Sequence, residues 1–170
     1  MEADNLNGVS DLIWFVAHTR PRCEKKLAQH CEREGLSVTL PCYRAAHKYR
    51  GKTVVFQKPL FPGYVFLEIP ISKKDKIYQS DYLANLLEVN DQELFKAQLA
   101  GILRALEANV EIRLAPSIGE GMRVKIKHGP LRGMEGWVEK RSGVNLVLLR
   151  LDFIAQAAAV KLQATDLELI

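Results

Sequence analysis

No run in this 170-residue chain approaches 18 consecutive apolar residues, so the sequence offers no membrane-spanning helix. Its start, Met1-Glu2-Ala3-Asp4, lacks the basic segment and the apolar segment of a secretory signal. The expected compartment is the cytoplasm, with no membrane partner. Cysteine is scarce: Cys23, Cys31 and Cys42 are odd in number and contain no C-x-x-C pair, which argues against a disulfide framework and fits a reducing environment. Adding His18, His30 and His47 does not make a zinc site, because Cys23 and Cys31 recur where a helix needs them for its buried stripe. No metal and no cofactor is expected. Catalytic signatures are missing too: there is no G-x-S-x-G, no phosphate-binding glycine loop, no H-E-x-x-H, and no motif that pairs two carboxylates. These absences describe a binding protein, not an enzyme.

What is present has the balance of a globular protein, with 48% hydrophobic and 26% charged residues and no internal repeat. The length allows one sizeable core or two small ones. A net charge of +4 and a pI near 9.0 are mildly basic, so the placement of the charges carries more information than their sum.

The chain is organised around Pro59-Leu60-Phe61-Pro62-Gly63-Tyr64-Val65-Phe66. Two prolines and a glycine forbid a helix and make a turn, which feeds a strand of alternating large side chains. Alternation puts Tyr64 and Phe66 on one face and Val65 and Leu67 on the other, so one face lines a core while the other can show aromatics.

Upstream, Ile13-Trp14-Phe15-Val16-Ala17 reads as a buried strand. Pro21 suits the first turn of a helix with Arg20 as its cap, and Cys23, Leu27, Ala28 and Cys31 form the apolar stripe of that helix, closed by Gly35. Strands are predicted over 37–41 and 53–56, with a basic loop or hairpin between them that turns at Gly51. Residues 70–75 read as a loop, and helical and extended patterns compete over 76–89. A helix is predicted over 91–107, with Asn90 and Glu93 as a capping box and Phe95, Leu99, Ile102, Leu103 and Leu106 as its stripe. The pattern dissolves around Pro116, Gly119 and Gly121. Beyond it, alternation over 122–127, a glycine-rich turn over 129–136 and strands over 137–140, 145–151 and 157–162 predict a small barrel. The expected organisation is a flexible start over 1–11, an α/β domain over 12–107, a linker over 108–120 and an all-β domain over 121–170, an α+β protein overall.

Charge is unevenly spread. Residues 20–58 hold ten lysines and arginines against three glutamates, whereas 68–111 hold eight acids against five cations. One basic side of the first domain therefore suits a phosphate backbone, and Tyr43, His47 and Tyr49 among the cations can stack on unpaired bases.

The Pro59–Phe66 stretch resembles, at every position, the signature of the amino-terminal (NGN) domain of NusG-like transcription elongation factors. Gly129-Pro130-Leu131-x-Gly133-x-x-Gly136-x-Val138 resembles the KOW module that follows it in that family. The resemblance runs over roughly residues 12–170 and is weakest over 68–118. It implies an amino-terminal sandwich followed by a KOW barrel, acting as a monomer that suppresses pausing or termination. In such factors an apolar pocket docks on the clamp helices of RNA polymerase; the matching residues are Phe61, Pro62, Tyr64 and Phe66. The resemblance also implies contact with the non-template DNA strand through Arg20, Arg22 and Lys26, which Arg50 and Lys52 would extend. KOW partners in the family include the termination factor Rho and a small-subunit ribosomal protein, here meeting Leu131 and Arg132; Leu131 replaces a phenylalanine common in relatives. Leu86-Leu87-Glu88-Val89 departs from the Gly-Val-x-x-Phe-Val run of general factors, which makes the chain similar to specialised antiterminators such as RfaH. Unlike a fold-switching relative, the glycines and valine-rich strands here favour a lasting barrel. The competing reading is a ribosome-associated or RNA-binding KOW protein.

Overall fold

A computed structural model describes residues 11–108, 112–116, 122–141, 144–163 and 166–170; for 113–116, 139–141, 144 and 145 it describes the backbone alone. Most of the expected flexible start and much of the expected linker lie outside the described residues. In chain order the elements are β1 (Ile13–Thr19), α1 (Glu24–Arg33), β2 (Ser37–Thr39), β3 (Cys42–Tyr49), β4 (Lys52–Pro59), β5 (Tyr64–Ile69), α2 (Lys74–Tyr78), β6 (Leu83–Glu88) and α3 (Gln92–Glu107). There follow β7 (Ile112–Pro116), β8 (Met122–Ile126), β9 (Glu135–Arg141), β10 (Val144–Leu151), β11 (Gln156–Lys161) and β12 (Leu167–Leu169). The protein is α+β. It divides into two compact units, one made of the chain up to Leu40 with Pro62–Gln92, the other of Pro41–Phe61 with Glu93–Ile170.

The first unit is an antiparallel sheet in the order β2-β5-β1-β6, with α1 packed on it. Phe15 and Ala17 of β1 and Val65, Leu67 and Ile69 of β5 point to one face, as alternation requires. There they join Leu27, Ala28 and Cys31 of α1 in a single apolar cluster. Val16 and Phe66 stand opposite each other on the other face and are also buried.

The predicted start of α1 needs correction. Cys23 N–H closes a turn onto the Arg20 carbonyl and Arg22 takes a positive φ of 61°, which no helix accepts, so Pro21 lies in a turn and the helix begins at Glu24. The predicted end holds: Gly35 has φ 72°, and the Leu36 N–H reaches back to the Cys31 carbonyl, a Schellman ending. The ambiguous segment 76–89 resolves into both readings, the short helix α2 and the edge strand β6. His30 on α1 donates from Nε2 to the Lys76 carbonyl at 2.9 Å, tying α1 to α2.

Helix α3 begins where expected, but not by the expected capping box. The Gln92 side chain donates to the carbonyls of Trp14 and Val89 and accepts the Trp14 N–H, so glutamine, not the Asn90–Glu93 pair, anchors this end to β1.

Among the described residues of the second unit, β3 and β4 pair only with each other, and β7 to β12 form one antiparallel sheet in the order β12-β8-β9-β10-β11-β7. Strand β7 falls inside the stretch read as a linker and lies along β11. Leu146, Leu148, Ala157 and Ala159 form the buried cluster on one face of this sheet, with Trp137 against it. The buried stripe of α3 is Phe95, Leu99, Ile102 and Ala105, while Leu103 and Leu106 are only half-buried. Within this unit α3 is joined to the sheet: Gln98 exchanges two hydrogen bonds with Asp152, and Phe95 meets Phe153 edge to face.

Candidate functional site

The Pro59–Phe66 signature forms a turn and the start of β5, as its residues dictate. Gly63 takes φ 88°, donates its N–H to the Glu24 carboxylate at 2.8 Å, and accepts the Thr19 N–H at 2.8 Å. The turn is therefore held by the end of β1 and the first residue of α1. A side chain at position 63 would meet the His18 ring at 3.5 Å, so the backbone lies close over that imidazole.

The four residues assigned to polymerase fare differently. Pro62 is exposed and Tyr64 is half-exposed, its ring stacked on His18. Phe61 is 1% exposed and Phe66 0%, so neither offers surface in this conformation. The expectation of an open Tyr64–Phe66 aromatic face is corrected: Phe66 is enclosed with its register partner Val16, and His18 takes the neighbouring place. Sequence reasoning missed His18. Alternation from Trp14 would place it on the Tyr64 face, but only the strand register makes the two residues partners.

The basic residues form two groups. Arg20, Arg22 and Lys26 are exposed in the first unit. Arg20 N–H bonds the Tyr82 carbonyl, and Lys26 Nζ lies 6.0 Å from the Tyr82 ring, so both gather at Tyr82, a residue the sequence did not single out. Arg50 and Lys52 belong to the second unit, at the tip of the β3–β4 hairpin. Arg50 and Gly51 both have positive φ, 49° and 76°, the signature of a two-residue type I′ turn, and the Arg50 guanidinium lies 5.6 Å from the Tyr49 ring.

In the glycine-rich turn between β8 and β9, Gly129 and Gly133 take φ of 87° and 89°. The chain folds so that Leu131 points inward, 1% exposed, while Arg132 remains exposed. Leu131 as a partner contact is therefore corrected to a core residue. Arg104 of α3 donates to the Pro130 and Arg132 carbonyls and holds this turn.

Burial, followed by the nearby Glu32 and Glu34 charges, pushes the Cys31 thiol up to about 11. It is inert core, consistent with its place in the helix stripe. Among the described residues no group of three histidine, cysteine or acidic side chains is arranged to hold a metal ion, and no helix is long and apolar enough to cross a membrane.

Residues 12–94 match the family model described as "Transcription termination factor nusG". The chain is 25% identical over 152 residues to the transcription termination/antitermination protein NusG of Borreliella burgdorferi, an alignment covering 74% of this chain and 80% of that protein. Its structure is similar to one titled "Domain interaction in Thermotoga maritima NusG", with a TM-score of 0.56 and 19% identity, covering 94% of this chain and 97% of the other. With the turn-and-strand signature on β5 and the glycine-rich turn in the second sheet in the family's order, residues 12–94 match a NusG domain and the chain is similar to NusG-like factors.

Proposed function

We propose that this chain is a transcription elongation and antitermination factor that binds RNA polymerase through its NGN-like domain, residues 12–107, and suppresses pausing or termination. The observation that carries this is the family match over residues 12–94, which contains the whole β1–β5 ladder and the turn at Gly63. The action is binding, with no chemical step, and takes place in the cytoplasm. The docking surface toward the clamp helices is built from Pro62 and Tyr64, with His18 stacked on Tyr64 and Phe66 as its buried support. Arg20, Arg22 and Lys26 then meet the non-template strand. The KOW domain, residues 121–170 beyond a connector at 108–120, recruits a further partner through the turn that exposes Arg132; Rho and a small-subunit ribosomal protein are the candidates that the resemblance supplies. The sequence over 86–89 supports a specialised factor over a general one.

Single-round transcription by purified polymerase tests the proposal. Added protein shortens pauses or raises read-through at a terminator, whereas unchanged pausing and termination on several templates would refute it.

A further inference from the structure

Along α3, Leu94, Ala97, Gln98 and Gly101 follow one another at helical spacing, one position away from the buried residues Phe95, Leu99 and Ile102. They form one wall of a cleft of about 380 Å³ within the second unit, and Met134, Trp137 and Leu149 form the wall opposite. Ala97 and Gly101 have almost no side chain, so the helix leaves this space open. Hydrogen bonds hold the helix at that distance from the sheet: Gln98 exchanges two with Asp152, and Arg104 donates to the Pro130 and Arg132 carbonyls. A methyl group at Gly101 would meet Met134 Cε at 3.1 Å, so the thioether already rests near the helix backbone and closes that part of the cleft. The cavity is thus formed before anything enters it. Its volume lies at the lower end of the range of about 300 to 1,000 Å³ found for small-molecule sites.

The polar groups of the cleft identify the occupant. Trp137 is flanked by two guanidiniums, Arg150 at 3.9 Å and Arg123 at 5.9 Å from its ring centre, which fix the indole in place. Arg123 donates from Nη2 to the Glu135 carboxylate, and because a guanidinium carries five N–H donors this pair does not exhaust it. Among the described residues that line the cleft, the two guanidiniums stand against the single carboxylate of Glu135. An indole and aliphatic side chains beside an excess of positive charge complement a flat apolar body with one negative group at its edge. Leu94, 45% exposed, stands at the mouth, so such a molecule enters without any rearrangement of the chain.

We infer that this cleft is a small-molecule site for a planar aromatic monocarboxylate, whose ring lies against Trp137, Leu149 and Leu94 and whose carboxylate takes the remaining donors of Arg123. Glu135 has the opposite effect, because its carboxylate competes with that of the ligand for the same guanidinium. The site uses neither the turn at Gly63 nor the basic cluster at Tyr82, so it is independent of the proposed contact with polymerase.

Proton–nitrogen correlation spectra of the full chain, titrated with naphthoate, test this through the indole N–H signals of Trp14 and Trp137, the two tryptophans of the sequence. The Trp137 signal should move saturably with a Kd of about 1 mM or tighter, while the Trp14 signal stays in place. Arg123→Gln should weaken binding roughly 10-fold, and Glu135→Gln should tighten it. Both substitutions break the same ion pair, so damage to the fold would move affinity in one direction for both, and only an anion bound at Arg123 separates them. Ala97→Phe, at an exposed helix position, fills the cleft and should abolish the shift. The neutral naphthamide, with the same shape, should bind roughly 10-fold more weakly than naphthoate. A Trp137 signal unmoved by about 10 mM naphthoate, or a Trp14 signal that moves equally, would overturn the assignment. So would wild-type affinity in Ala97→Phe, equal affinity for the amide, or loss of affinity in both Arg123→Gln and Glu135→Gln.

Discussion

The rings of His18 and Tyr64 stack with centroids 5.2 Å apart and planes 28° from parallel, and the same two residues stand opposite each other in the β1–β5 ladder. A cross-strand aromatic pair of this kind is held in place before any partner arrives. The half-exposed Tyr64 therefore offers a rigid ring, while its neighbour on the same face, Phe66, is enclosed. Tyr64→Ala should weaken binding to polymerase core by about 2 kcal/mol and leave the melting temperature nearly unchanged. Phe66→Ala should cost about 3 to 5 kcal/mol of stability. Affinity and thermal melting measured on both variants separate the two roles; a large stability loss in Tyr64→Ala with intact affinity would make Tyr64 a core residue only.

The two positive-φ glycines of the second sheet's turn draw attention, but the tighter constraint is at Gly136. A methyl group there would meet Val147 Cγ1 at 2.6 Å and the Leu148 carbonyl oxygen at 2.8 Å. The backbone oxygen cannot swing aside as a side-chain end can. Gly136→Ala should destabilise by about 3 kcal/mol through overpacking. Gly51→Ala, at φ 76° with nothing within 4 Å, should cost about 1 kcal/mol from backbone conformation alone. Urea midpoints compare them, and equal losses would mean that the crowding at Gly136 is relieved by a strand shift.

Cys31 gives the fold an alkaline limit. Its thiol is neutral in the folded chain up to about 11 but ionises near 9.0 once exposed. Between those values the unfolded chain has released a proton that the folded chain retains, so stability is complete below pH 9 and declines as pH rises toward 11. The full loss is about 3 kcal/mol. Cys31→Ala should flatten this decline in a plot of melting temperature against pH, and an unchanged slope would assign the decline to other groups.

The basic cluster at Tyr82 makes a separate claim. Replacing Arg20, Arg22 and Lys26 with glutamine should lower the log-log salt slope of binding to a transcription bubble by about 2, near 0.7 for each phosphate contact to a single strand. An unchanged slope together with unchanged antipausing would remove the cluster from the nucleic-acid surface.

Much of this architecture was legible in the sequence, and for local reasons. The apolar run at Ile13, the stripe Leu27, Ala28 and Cys31 ended by Gly35, the α3 stripe, and the alternation from Met122 each report a backbone period, which neighbours in the chain determine. What escaped depends on distant partners. The turn at Pro21 and Arg22 follows Arg20, whose N–H bonds the distant Tyr82 carbonyl, and Gln92 at the start of α3 bonds the backbone of Trp14 across the unit. The burial of Phe66 and Leu131 was not legible either. Alternation says which residues share a face, and a motif says which positions recur, but neither says which face is covered. The aromatic residues of the hairpin lay between the two cases: they were visible as a basic aromatic segment, but only the register set by Arg50 and Gly51 places Phe56 on the side of Tyr43, His47 and Tyr49.

The most direct test of the account is retention of the purified chain on immobilised core RNA polymerase, with no nucleic acid present and with ribosomes and free single-stranded RNA as parallel baits. The account predicts saturable retention on polymerase that Tyr64→Ala weakens by more than tenfold, as about 2 kcal/mol requires. Retention on ribosomes or RNA, with none on polymerase, would contradict it and would identify the chain as an RNA-binding KOW protein.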